Sequence, residues 1–98
     1  MSTPAGYPKY GPYSFTAKGI AEMKADGGIY LIVNAKGQPI YAGQTKDLRR
    51  RLGEHYTDRK HCMWKYGPTN MYAEAVATEA QRLRREQEMI RNLRPVCN

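Results

Sequence analysis

The stretch Gly28-Ile-Tyr-Leu-Ile-Val33 limits most what this chain can become. It is an unbroken apolar run, rich in β-branched side chains, entered through Gly27-Gly28 and left at Asn34. At six residues it is too short for a packed helix and reads as a buried strand. Asn34-Ala-Lys-Gly-Gln38 then reads as a turn, and Pro39-Ile-Tyr-Ala-Gly43 as a second short strand. Its proline stands first, where a ladder donor can be spared. A turn centred between Ala35 and Lys36 sets Tyr30 directly opposite Tyr41, so both hydroxyls face one site. A slip of one residue would put them on opposite faces.

The rest of the chain supplies helices around this hairpin. Residues 1–14, with Pro4, Pro8, Pro12, Gly6 and Gly11, read as an extended arm, and residues 15–98 as one domain. Residues 15–25 suggest a short helix turning Phe15, Ile20 and Met23 inward, interrupted by Gly19. Thr45-Lys-Asp47 offers caps for a helix from Leu48 to about Tyr56, whose stripe is Leu48, Leu52 and Tyr56. Residues 57–70 form an irregular connection containing Trp64, Tyr66 and a Gly67-Pro68 turn. Met71–Val76 reads as a third strand. Thr78 and Gln81 are spaced as a capping box opening a helix to about Leu93, and Pro95 ends it.

With 98 residues, 41% of them apolar, the chain can build one modest core. Sixteen Lys and Arg against nine Asp and Glu leave a net charge of +7, which points to a polyanionic partner, nucleic acid before an acidic membrane. The plainer reading is a merely soluble basic surface. No stretch approaches membrane-spanning length and residues 1–15 hold no apolar leader core, so a soluble, cytoplasmic protein is expected. Cys62 and Cys97 form no CxxC pair, and His55 and His61 lie near only Cys62, which makes a zinc site improbable. Two cysteines are no disulfide framework, so a reducing compartment is the default.

One carboxylate stands in an odd place. On the last helix Glu86 follows Leu83 by three and precedes Ile90 by four, which puts it on the apolar stripe of Leu83, Ile90 and Leu93. Arg82, Arg84, Arg85, Glu88 and Arg91 fall mostly on the flanks or outer face. An inward carboxylate is costly unless compensated. It is either a buried Glu paired with arginine, or the mark of a stripe that ends at the rim of the core, or a metal ligand or acid/base group in a cleft. On the earlier helix Arg51 and His55 are four residues apart and share a face bordering Leu48 and Leu52. An arginine there can hold a phosphate through paired N–H donors. Lys46, Arg49 and Arg50 read as charges that steer a phosphate backbone at most.

Taken in order, Gly28-Ile29-Tyr30, Tyr41-Ala42-Gly43, Lys46-Asp47-Leu48-x-x-Arg51-Leu52 and Glu86-x-x-x-Ile90-x-x-x-x-Pro95-x-x-Asn98 resemble the GIY-YIG nuclease superfamily. The resemblance runs from Gly28 to Asn98. It implies an α+β fold, a small three-stranded antiparallel sheet flanked by helices, holding one divalent-metal site. It implies an endonuclease that hydrolyses phosphodiester bonds in DNA, with RNA also open, in a prokaryotic or phage-encoded setting. The family's two motif tyrosines match Tyr30 and Tyr41, its helix arginine Arg51, and the position four later His55. Its metal-binding glutamate matches Glu86, which would hold Mg²⁺ or Mn²⁺, and its closing asparagine Asn98. Tyr30 would be the general base or a water-orienting hydroxyl, a phenolate with Arg51 nearby being one form open to it. Tyr41 and His55 would position groups or relay protons, Arg51 would hold the phosphate, and Asn98 would be structural or a minor substrate contact. The departures are Ala42, where isoleucine or valine is usual, and Gln44, where excision-repair members carry lysine.

Two other readings use the same residues. One is a non-catalytic nucleic-acid-binding module, with the basic helices on phosphate and Tyr30, Tyr41 or Trp64 stacking on bases. The other is a partner subunit of a larger DNA-processing complex.

Overall fold

A computed structural model of the chain describes residues 3–98. Its elements are β1 (Tyr10–Ser14), α1 (Ala17–Ala21), β2 (Gly28–Val33), β3 (Pro39–Thr45), α2 (Leu48–Thr57), a 3-10 helix (Cys62–Tyr66), β4 (Asn70–Ala75) and α3 (Glu79–Leu93). The strands form one antiparallel sheet in the order β1-β4-β2-β3.

β2 is an inner strand and all six of its residues are buried, which is why its sequence does not alternate. Tyr30 and Ile32 face a core completed by Phe15, Ile20, Met23, Leu48, Leu52, Met63 and Met71. Ile29, Leu31 and Val33 face the other way, with Ala42, Tyr72 and Met89. The sheet is thus sandwiched between α1 and α2 on one side and α3 on the other. Among the described residues no helix is long and apolar enough to cross a membrane.

The sheet has four strands rather than three. Tyr10–Ser14, expected within the arm, pairs with β4, while residues 1 and 2 of that arm lie outside the described residues. Pro12 hid the strand; a proline is tolerated there because β1 is an edge.

The hairpin register also differs. Tyr30 lies opposite Gly43, and Tyr41 opposite Ile32, with an irregularity between Ile32 and Val33. The offset from the expected pairing is two residues, so the period-2 alternation still leaves both tyrosines on one face.

On α3 the inward face is rotated from the expected stripe. Leu83 is 42% exposed, whereas Arg82 is 9% exposed and Met89 is buried. Arg82 is tolerated there because its guanidinium donates to the carbonyls of Val76 (3.1 Å) and Ala77 (3.2 Å) and to the side chain of Gln44 (3.3 Å).

Cys62 and Cys97 are joined in a single disulfide, Cα–Cα 5.8 Å, which a count of two cysteines gave no reason to expect. Nothing local brings them together: the chain after α3 turns at Arg94, in the left-handed region, and runs beside β3. There the Cys97 N–H donates to Ile40 O at 2.8 Å. The Asn98 side chain accepts from the Ala42 N–H (2.7 Å) and donates to the Ala42 carbonyl (2.9 Å). These residues therefore satisfy the outer edge of β3 as a further strand would.

Candidate active site

Tyr30, Tyr41 and His55 meet on the face covered by α2, while Glu86 is carried by α3 from the other face, beside Gln44 near the end of β3. Tyr30 is fixed first. Its ring passes over Gly43, where any Cβ would overlap the phenol. The hydroxyl of Tyr30 lies 2.8 Å from Nε2 of His55, both groups being buried. Asp47 caps α2 by accepting from the Arg50 N–H at 3.1 Å, and that start aims the second turn of the helix, Arg51 to His55, at the sheet. Tyr41 packs edge-on against His55, ring centroids 5.2 Å apart, and lies 6.3 Å from Tyr30.

Burial sets the protonation states. It raises the Tyr30 phenol above its usual range; Tyr41 and Glu86 add to this, and Arg51 opposes it. These surroundings thus favour the neutral phenol at Tyr30 over a phenolate. His55 moves the other way, lowered to about 4 by burial, then by Arg51 and His61. A neutral imidazole with its proton on Nδ1 accepts the Tyr30 hydroxyl at Nε2.

Glu86 is half-buried and makes no salt bridge with any described residue. Desolvation raises its carboxyl, against a partial offset from the backbone N–H of Gln44. The buried Glu–Arg pair weighed from the sequence is thus not what occurs: Arg85 pairs with Glu74 (3.0 Å) and Arg51 with Glu54 (3.1 Å). Among the described residues no three or more His, Cys, Asp or Glu gather as a metal cluster. A carboxylate with no ion pair among the described residues, close enough to act on the Tyr30 phenol, does suit a hard divalent cation that keeps most of its waters, as Mg²⁺ does.

The other expected residues are spread around this centre. Gln44 is bound to Arg82 at the end of β3. Asn98 is spent on the edge of β3. Lys46, Arg49 and Arg50 are exposed at the start of α2, Arg49 with its Nε on the Met23 carbonyl at 2.6 Å. His61, given no role from the sequence, joins the site. Its ring lies 4.9 Å from Tyr41 and 5.2 Å from His55, and its Nδ1 accepts from the Met63 N–H at 3.1 Å. No helical or strand period connects residues 55 and 61, so spacing could not have found it.

The lowered His55 has a consequence for stability. Between pH 6.5 and 4.5 the unfolded chain takes up a proton at residue 55 that the folded chain refuses. Stability from this group is full above its unfolded value of about 6.5. It is lost as pH falls toward about 4. The expected loss is about 2 kcal/mol over that window. Glu86, shifted oppositely, works against it. The measurement is therefore the difference in urea midpoint between wild type and His55→Gln at the two pH values; equal pH dependence in both would refute the assignment.

Comparison with known proteins follows the same residues. The sequence model of the GIY-YIG catalytic domain matches residues 26–98. The UvrABC system protein C of Rhizobium etli is 31% identical over 75 residues, which cover 72% of this chain and 11% of that protein. The chain thus spans about a tenth of that relative's length. Among solved structures, the GIY-YIG N-terminal endonuclease domain of UvrC from Thermotoga maritima, bound to magnesium as its catalytic divalent cation, matches with TM-score 0.74 and 26% identity. That match covers 83% of this chain and 92% of the other. A point mutant of the same domain, bound to its catalytic divalent cation, gives TM-score 0.73 at 26% identity, over 83% and 91% of the two chains.

Proposed function

Because the chain belongs to the GIY-YIG catalytic-domain family, we propose that it is a divalent-metal-dependent endonuclease hydrolysing phosphodiester bonds in DNA at a single site. Tyr30, Tyr41, Arg51, His55 and Glu86 make that site. The observation that carries the reading is the buried Tyr30–His55 hydrogen bond near a Glu86 carboxyl that forms no ion pair among the described residues. A pure binding module gains nothing from an unpaired carboxylate facing phosphate.

Glu86 would hold Mg²⁺ or Mn²⁺, which when bound polarises the phosphate and stabilises the leaving oxygen. The chain's own residues do the rest. The Tyr30 oxygen accepts a hydrogen bond from the attacking water, and as that water loses its proton to Tyr30, Tyr30 passes its own to Nε2 of His55. Two short transfers thereby replace the costly ionisation of a buried phenol. Tyr41 and His61 wall the imidazole and fix its plane. Arg51, half exposed and tethered to Glu54, reaches the phosphate and balances charge as the pentavalent phosphorus forms. Gln44 and Asn98 hold the edge of β3, and Lys46, Arg49 and Arg50 attract the flanking backbone.

DNA is the substrate favoured by the likeness to a UvrC endonuclease domain. A cytoplasmic setting goes with it, since prokaryotic and phage DNA is processed there. The excision activity of a full-length UvrC protein does not transfer with about a tenth of its length. The test is plasmid nicking with Mg²⁺ or Mn²⁺ against EDTA. Nicking in the metal lanes alone is expected; none in any lane, or cutting indifferent to EDTA, would overturn the proposal.

A further inference from the structure

Outside the site just described, one arginine is held in place with nothing to bind. Arg59 lies in the tight turn that leaves α2. Its guanidinium carbon sits 3.8 Å from the centre of the Trp64 ring and 5.0 Å from that of Tyr56, and its Nε donates to the Tyr56 carbonyl at 3.1 Å. Trp64 is itself fixed: its indole N–H donates to Asp58 O at 3.0 Å, and its ring packs on Phe15 and Tyr56, centroids 5.6 and 5.9 Å apart. The guanidinium thus lies against a ring that is itself anchored, on a residue that is exposed to solvent.

An exposed arginine is normally mobile, and immobilising it costs side-chain entropy. Here that cost is met with no carboxylate in return. Glu54 is engaged by Arg51, and the Asp58 carboxylate accepts from the Lys60 N–H at 3.3 Å. Arg59 makes no salt bridge among the described residues. Its neighbours Lys60 and Lys65 are exposed cations, so the local field attracts an anion. The planar fork of a guanidinium matches two oxygens of a phosphate, and a fork already oriented gives up less freedom on binding. The position is apt: His61, two residues on, already packs on Tyr41 and His55.

We infer that Arg59, stacked on Trp64, is a preformed clamp for a backbone phosphate of the nucleic acid next to the one being cut. The inference rests on the nucleic-acid substrate proposed above and adds a second contact point to it. It also changes what Trp64 does. Arg59 covers one face of the ring, so Trp64 supports a cation instead of stacking on a base.

The test measures binding apart from cutting. A short fluorescently labelled DNA duplex is titrated with protein in EDTA, across about 50–200 mM NaCl, for wild type, Arg59→Ala, Arg59→Lys and Trp64→Leu. Losing one phosphate contact should reduce the slope of log affinity against log salt by about 0.9. We expect that change for Arg59→Ala, with affinity lower by about tenfold or more at 100 mM salt, the size of one charge-assisted contact. Arg59→Lys should recover less than half of the loss, since an ammonium neither stacks nor forks. Trp64→Leu should weaken binding less than Arg59→Ala, because the charge remains. Thermal unfolding of each variant separates a packing role, which would move the melting temperature and leave the salt slope alone. A wild-type slope in folded Arg59→Ala overturns the inference. So does a loss seen with Trp64→Leu but not with Arg59→Ala, which would point to base stacking. Wild-type protein that binds duplex with salt dependence yet never nicks it counts against the nuclease reading alone.

Discussion

Glu86→Gln should cut DNA at less than about a thousandth of the wild-type rate while binding it as well or better. The magnitude follows from Glu86 being the carboxylate proposed to hold the cation. Losing a metal's stabilisation of the transition state removes several kcal/mol, and each 1.36 kcal/mol is tenfold in rate. Binding should survive because the substitution removes a negative charge facing phosphates. Folding should survive too: the Glu86 carboxyl has no ion-pair partner to lose among the described residues, and burial already works against its charge. The measurements are single-turnover cutting with saturating Mg²⁺, duplex affinity in EDTA, and melting temperature. Cutting within tenfold of wild type would show that Glu86 is not the ligand.

The second large effect is expected at the Tyr30–His55 pair. Tyr30→Phe keeps the ring over Gly43 and deletes only the hydroxyl that meets His55 at 2.8 Å. If water passes its proton through this pair, either partner alone breaks the path. A positioned general base contributes about 10²–10⁴-fold, so Tyr30→Phe and His55→Ala should each lose about that much. The double variant should lose little more, as groups acting as a unit do. Additive losses would mean that the two act separately. Tyr30→Phe should also cost about 1–3 kcal/mol of stability, because the buried Nε2 loses its partner. The double variant, with no imidazole left unpaired, should not show that part of the cost.

How much of this was open to reading from the sequence depends on the range of the interaction. The run Gly28–Val33 announces its burial because each residue carries its own transfer free energy into the core. The tyrosines came out on one face even though the pairing was displaced by two residues, since an even displacement preserves strand alternation. The last helix was misread by one position. Leu83 looked inward by its chemistry, yet Arg82 is the buried residue, because three carbonyl oxygens brought by β3 and the β4–α3 link satisfy its donors. No periodicity on one helix can reveal acceptors supplied by other segments. The same applies to β1, to His61 and to the Cys62–Cys97 bond. Each depends on a partner distant in sequence, and each became visible only once the sheet had been assembled.

The overlap of the Tyr30 ring with the space above Gly43 has a consequence for how such a protein can change over generations. The two signature segments are one contact read twice, so neither position can drift alone. A side chain at 43 needs the ring at 30 to leave, and leaving takes the hydroxyl with it. A lineage that keeps cutting is confined to this pair. One that has stopped needing the hydroxyl is released at both positions together, and the first trace of lost activity is to be looked for at the glycine as readily as at the tyrosine.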